Sequence, residues 1–173
     1  MTLEIQHLMW KLEELAVGFR EAAFGKGDVD AALAFLTEDC SLANVPAGTG
    51  GTGTDALRRY LEDVVAHRPD DLAFRRVSKT VDQRRWAEES MVTFTHDREL
   101  PWLLPGVAPT GRQVEVLAIS VVSARHRSRA GRITTLIAGH RTLWDQVGLL
   151  TQLTPGSTAS LHIQDGESRI PGR

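Results

Sequence analysis

A histidine beside a carboxylate is the combination in this chain that could move protons near neutral pH. His140 lies in an apolar-rich run, Ile133 to Leu143, and Asp97 follows another, Arg85 to Thr95. If both runs are extended strands, alternation puts His140 on the face of Leu136, Ala138 and Thr142, and Asp97 on the face of Thr93 and Thr95. A carboxylate near the imidazole would orient it and raise its basicity, giving a general base or acid. The plainer reading is a core histidine bonded to a neighbour and an aspartate capping a loop. His96 is a second candidate. Alternation sets it with Val92 and Phe94, away from the side of Asp97.

Other chemistries find less support. The six histidines are scattered and no close His/Cys/Asp set has ligand spacing, so no metal is expected. Cys40 is the single cysteine, which excludes an internal disulfide and fits a reducing cytoplasm. Gly48-Thr49-Gly50-Gly51-Thr52-Gly53 formally fits a dinucleotide fingerprint. No long parallel strand leads into it and no lysine follows, so a flexible loop over a pocket rim is the expectation. Asp145 sits where a carboxylate caps the free amides of a helix start.

The elements that must position these residues can be read from periodicity. Leu8, Leu12, Leu15, Phe19 and Ala22 form one face of a first helix, ended by Gly25 and Gly27. Asp28 caps a second over Val29–Leu36, and Cys40–Val45 is a short strand stopped at Pro46. Thr54 or Asp55 caps a third helix with the stripe Leu57, Tyr60, Leu61, Val64 and Val65. Strand-like runs then follow: Leu72 to Val77, Arg85–Thr95 after a turn at Asp82-Gln83, Gly111–Arg125, and Arg132–Leu143. Glu99–Thr110 holds three prolines and reads as a loop, though an apolar one, with Trp102, Leu103 and Leu104 available either as a lid or as packing on the core or on a second subunit. The basic cluster Arg125 to Arg129 reads as a solvated turn. Trp144-Asp145 leads into a short helical tail with Leu149, Leu150 and Leu153. Helices first and antiparallel strands after argue an α+β class: a cone with three N-terminal helices packed in a curved sheet. Residues 1–154 would be the domain and 155–173 a polar, flexible tail.

The 173 residues are 42% hydrophobic and 24% charged with a formal net charge of -2, an ordinary globular composition. That balance gives no reason to expect nucleic acid or an anionic membrane. Charges at Glu4, Lys11, Glu13 and Glu14 interrupt the N-terminal apolar pattern, so it reads as neither signal peptide nor membrane span.

Three stretches carry a family resemblance: Glu38-Asp39 leading to Asn44-Val45-Pro46; Thr95-His96-Asp97 followed by Trp102-Leu103-Leu104-Pro105-Gly106; and Trp144-Asp145-Gln146 with Leu149, Leu150 and Leu153. Over roughly residues 10–153 the chain resembles SnoaL-like members of the nuclear transport factor 2-like superfamily, which includes polyketide cyclases, ketosteroid isomerases and limonene epoxide hydrolase. Limonene epoxide hydrolase positions water with a tyrosine and an asparagine on its early strand. Asn44 matches the asparagine, while the tyrosine position reads Leu42. Of its Asp–Arg–Asp group, Asp97 matches the first aspartate. The arginine position reads Thr95 and the second aspartate position reads Thr142. SnoaL-like relatives with the same ending often carry glutamate where His140 stands.

The resemblance implies a cofactor-free acid–base enzyme acting on a small apolar metabolite: cyclisation, isomerisation, dehydration or epoxide opening. Asp97 and His140 would exchange protons, with Asn44, His96, Trp102, Thr142 and Trp144 in the binding wall. A homodimer covering an apolar sheet face is also implied. The rival is a non-catalytic module that uses the same cavity for ligand capture or its open sheet face for a partner, which the missing triad members favour.

Overall fold

The computed structural model describes residues 3–129 and 132–154. The expected C-terminal tail, 155–173, lies outside them. Helix α1 (Leu3–Arg20) runs into a π-helical stretch, Glu21–Lys26. Gly27 then stops it in the left-handed conformation at φ 70°. Leu12, Leu15, Phe19 and Ala22 are buried along one face, as their spacing requires. Asp28 caps α2 (Val29–Leu33), accepting from the Ala31 amide at 2.9 Å. That helix is shorter than its expected span because strand β1 (Leu36–Asn44) already begins at Leu36.

The stretch expected to be a flexible glycine loop is instead partly a strand, β2 (Thr49–Thr52), antiparallel to β1. Its glycines let the two backbones close up without side chains between them. Helix α3 (Thr54–His67) buries Leu57, Leu61 and Val64. Its N-cap is Gly53, with no side-chain cap from Thr54 or Asp55. Strands β3 (Ala73–Val81), β4 (Arg85–Thr95), β5 (Gln113–Arg129) and β6 (Arg132–Trp144) follow, then α4 (Gln146–Leu153). Asp82 makes the β3–β4 turn by accepting from the amides of Arg84 and Arg85 at 2.6 and 2.7 Å. The basic cluster is not a turn. Pairing with β6 extends β5 through it, and Arg125 reaches Asp39 at 2.8 Å. Asp145 caps α4 as expected, at 2.9 Å from the Gly148 amide.

The six strands form one open, curved, mixed sheet in the order β2-β1-β6-β5-β4-β3. Only the β1–β6 pair is parallel. Helices pack on its concave face, the α+β cone expected from the sequence. Two apolar clusters fill the concavity. One joins α1, α2 and α3 to β1 and β6; the other gathers Phe94, Val114 and Val116 under the proline-containing loop and α4. Phe24 and Tyr60 touch both clusters, and the seam between them is where the polar side chains collect. No helix among the described residues is long and apolar enough to cross a membrane.

Candidate active site

Sheet register brings the inward-facing residues into rows. Trp86, Val122, His140 and Leu42 lie opposite one another across β4, β5, β6 and β1. Glu88, Ser120, Thr142 and Asn44 form the next row. Ser90, Ala118 and Trp144 form a third. From the helical side Ala16, Arg20 and Phe24 project at spacings of four, and Tyr60 comes from α3. Apart from Leu42 and Glu88, these groups enclose a cavity of about 40 Å³, which Trp102 also walls. A second cavity of about 20 Å³ shares Phe24, Tyr60, His140 and Thr142 with it, so His140 stands between two hollows.

His140 is half-buried because one edge faces these hollows, although protein atoms surround the ring. Its Nε2 lies 3.3 Å from the Thr142 hydroxyl, and Phe19 meets the ring edge-on at 5.6 Å. Burial, assisted by the charge of Arg20, pulls its pKa down to about 4. The imidazole is therefore neutral at physiological pH. Burial likewise pushes the Tyr60 phenol up to about 12, so it too is uncharged.

The Asp97–His140 pair is not assembled. Strand β4 ends at Thr95, and the carboxylate of Asp97 is exposed, bound to Arg98 at 2.8 Å. Two physical reasons account for this. The inward phase of β4 is Trp86, Glu88, Ser90, Val92 and Phe94, so Thr93 and Thr95 face outward. Within β6, a register shift opposite Ser123/Ala124 breaks strict alternation: Thr135 and Ile137 are buried before it, and His140 and Thr142 face inward after it.

His96 continues the inward phase of β4 and is fully buried, but beneath the loop rather than in the cavity. Its backbone carbonyl accepts from Thr110 and Gly111, and its Nδ1 lies 3.3 Å from the Thr110 hydroxyl. Asn44 does reach the cavity. Its Nδ2 is spent on the Trp102 carbonyl at 2.6 Å, and its Oδ1 is buried without a partner among the described residues. Trp102 and Trp144 stand in the cavity wall, 6.2 Å apart at their ring centres, with Thr142 between β1 and β5. Leu100, Leu103 and Leu104 bury themselves in the core, so the loop is a packed wall of the cavity.

The main omission of the sequence reading is a buried ion cluster. Glu88 is buried, and its carboxylate is shared by Arg20 and Arg76, with the Ser90 hydroxyl donating at 2.7 Å. Arg76 and Lys79 also hold Glu13, at 3.0 and 2.5 Å. The signals were present but weak: Trp-x-Glu-x-Ser alternates on β4, and Arg20 lies four residues after the apolar-face Ala16. No cluster of three His, Cys, Asp or Glu able to hold a metal occurs among the described residues.

A family model described as a SnoaL-like domain matches residues 17–136. The chain belongs to the SnoaL-like family. No curated protein matches it. Among solved structures, this SnoaL-like domain is similar to IdmH from Streptomyces antibioticus, a candidate polyketide cyclase, at 25% identity and TM-score 0.56, over 82% of this chain and 96% of that one. It is also similar to AclR from Streptomyces galilaeus, a candidate hydroxylase, at 19% identity and TM-score 0.59, over 84% and 96%. SalBIII, an epoxide hydrolase/cyclase-like enzyme of pyran ring formation in the polyether salinomycin, aligns at 20% identity and TM-score 0.54, over 80% and 93%. At these identities the last two show the shared fold.

Proposed function

We propose that this SnoaL-like domain is a cofactor-free acid–base enzyme acting on a small, largely apolar, oxygen-bearing metabolite, by chemistry of the cyclase, isomerase, dehydratase or epoxide-opening kind. The observation that carries this reading is His140: a neutral imidazole set between two aromatic-walled hollows, with Thr142 as its hydrogen-bond partner. Such a group takes a proton from a carbon acid or a water held in the cavity and returns it to the product. The exposed Asp97 has no part in that step. The solved relatives described as cyclases and as epoxide hydrolase/cyclase-like support the reaction class by likeness only.

A hollow of 40 Å³ has room for about three waters, well short of a metabolite-sized pocket of several hundred Å³. Substrate entry therefore requires the Trp102 loop or the aromatic wall to shift. Exchange of α-hydrogens of 2-tetralone with D₂O, followed by NMR, tests the reading. Exchange above the buffer rate, falling about 100-fold in His140→Gln, is expected. No protein-catalysed exchange would count against it.

The non-catalytic reading has its own support, since no carboxylate lines the cavity among the described residues. A metabolite that co-purifies and persists unchanged on incubation would establish it. A homodimer remains part of the proposal. Ile119 and Leu143 are paired neighbours on the outer sheet face, 38% and 41% exposed, and light scattering would show whether two chains associate.

A further inference from the structure

Arg20 is the one charged side chain lining the cavity among the described residues, His140 being neutral there. Its guanidinium makes one side-chain hydrogen bond among those residues, through Nη1 to Glu88, and lies 5.4 Å from the centre of the Phe74 ring. Glu88 does not neutralise it fully. The connected cluster holds three cations, Arg20, Arg76 and Lys79, against two carboxylates, Glu13 and Glu88, and so carries one positive charge in excess. Arg20 is the member of that cluster that reaches the cavity.

Independent donors stand in the same walls. Trp86, Trp102 and Trp144 all line the cavity, and none of their indole N–H groups has a partner among the described residues. Trp86 and Trp102 are 2% and 3% exposed, so water does not satisfy them from outside. Buried donors of this kind are costly unless something accepts from them. A cation and three unpartnered donors around one apolar hollow describe a receptor for negative oxygen on a flat, apolar body.

We propose that the cavity seats a ligand bearing an anionic oxygen, with its charge against Arg20 and its rim accepting from the indole N–H groups. Glu88 is a positioning residue: fixed by Arg76 and Ser90, it holds the guanidinium by one edge and leaves the other toward the cavity. This deepens the acid–base reading and rests on it for the chemical consequence. If His140 removes a proton from a neutral carbon acid, an imidazolium and an enolate result, and the electron pair settles on the oxygen facing Arg20. The bond that forms is N–H and the one that breaks is C–H, with no oxidant or reductant involved.

The test compares benzoate with its neutral isostere benzamide, using the full chain and reading the tryptophan indole ¹H–¹⁵N resonances. Benzoate should shift the indole signals and bind at least tenfold more tightly than benzamide. Arg20→Gln should abolish that preference, and Arg20→Lys, which keeps the charge beside Glu88, should retain part of it. Trp86→Phe should weaken benzoate a few-fold as read on the remaining indoles. Equal binding of the two probes, no binding of either, or a folded Arg20→Gln protein that still prefers benzoate would overturn the proposal. His140→Gln separates it from the acid–base reading. Loss of 2-tetralone exchange with no benzoate preference leaves only that reading standing; benzoate preference with no catalysed exchange leaves only the anion seat.

Discussion

The side-chain amide of Asn44 donates to the backbone carbonyl of Trp102 across 2.6 Å, and this bond ties the end of β1 to the loop that walls the cavity. Thr49 on β2 donates to the same oxygen, also at 2.6 Å. Either donor alone keeps the carbonyl satisfied, so Asn44→Ala or Thr49→Ala should cost about 1 kcal/mol of stability. Removing both leaves a buried acceptor without a protein partner. The double variant should therefore lose more than the sum of the single losses, by about 1 kcal/mol or more, in a denaturation cycle. Amide hydrogen exchange across 98–110 should accelerate in the same order.

Thr49 is placed by a backbone that only glycine serves well. Gly50 has φ 132°, and a Cβ there would be driven into the carbonyl oxygen of Leu42 on the paired strand. Gly50→Ala meets both backbone strain and a main-chain obstruction, which together cost upward of about 2 kcal/mol. Gly48→Ala faces open space, with nothing within 4 Å, and meets only the positive-φ penalty. Gly50→Ala should thus lower the melting temperature more than Gly48→Ala. It should also weaken the Thr49 hold on Trp102, seen as faster exchange in the loop.

How far the sequence revealed this architecture follows from the same residues. Helix faces such as Leu12, Leu15 and Phe19 were legible because periodicity and burial coincide there, and helices first with antiparallel strands after gave the α+β class; the strand order within the sheet was not read. Strand β2 was not legible, since the two central glycines of Thr-Gly-Gly-Thr offset the β preference of its threonines and the segment is held in the sheet by pairing with β1. Asp97 was misplaced because alternation has a period but no inherent inside. The adjacent pair Glu88-Glu89 gives no local sign that the first is the buried one. A single register shift in β6 then changed which residues accompany His140. The cavity residues Asn44, Trp102, Thr142 and Trp144 came from the resemblance. Arg20 and Glu88 depend on an ion pair spanning 68 positions, which no short-range pattern encodes.

Glu88 links acid sensitivity to that ion pair. Burial alone would raise its pKa, but hydrogen bonds from Ser90, Arg20 and Arg76 outweigh burial and hold it below its ordinary 4.5. A carboxylate depressed in the folded state stabilises the protein fully above its unfolded value, and that stability is lost as pH falls through the folded value. Glu88→Gln should therefore flatten part of the acid limb of stability below about pH 4.5 while destabilising the protein at pH 7. Losing one member of a buried pair costs about 3–5 kcal/mol, and the partly exposed arginines place this case toward the lower end. Urea denaturation from pH 3 to 7 measures both effects.

His140 provides the counterpart at higher pH. Burial and the neighbouring Arg20 charge lower its pKa from 6.5 to about 4 in the folded protein. Between those values the unfolded chain binds a proton that the folded one refuses, so stability is complete above about pH 6.5 and declines as pH falls toward 4. The 2.5-unit difference corresponds to at most about 3 kcal/mol. His140→Gln removes this slope, so wild type and variant should differ most in the pH dependence of stability between 6.5 and 4. An NMR titration of the His140 ring should show a midpoint well under 6. If His140 is the base, 2-tetralone exchange should stay level across neutral pH and fall only as the ring takes up its proton. Arg20→Gln removes one of the two causes of the low pKa, so it should move the ring midpoint and the exchange profile upward together. A midpoint unchanged in that variant would assign the depression to burial alone.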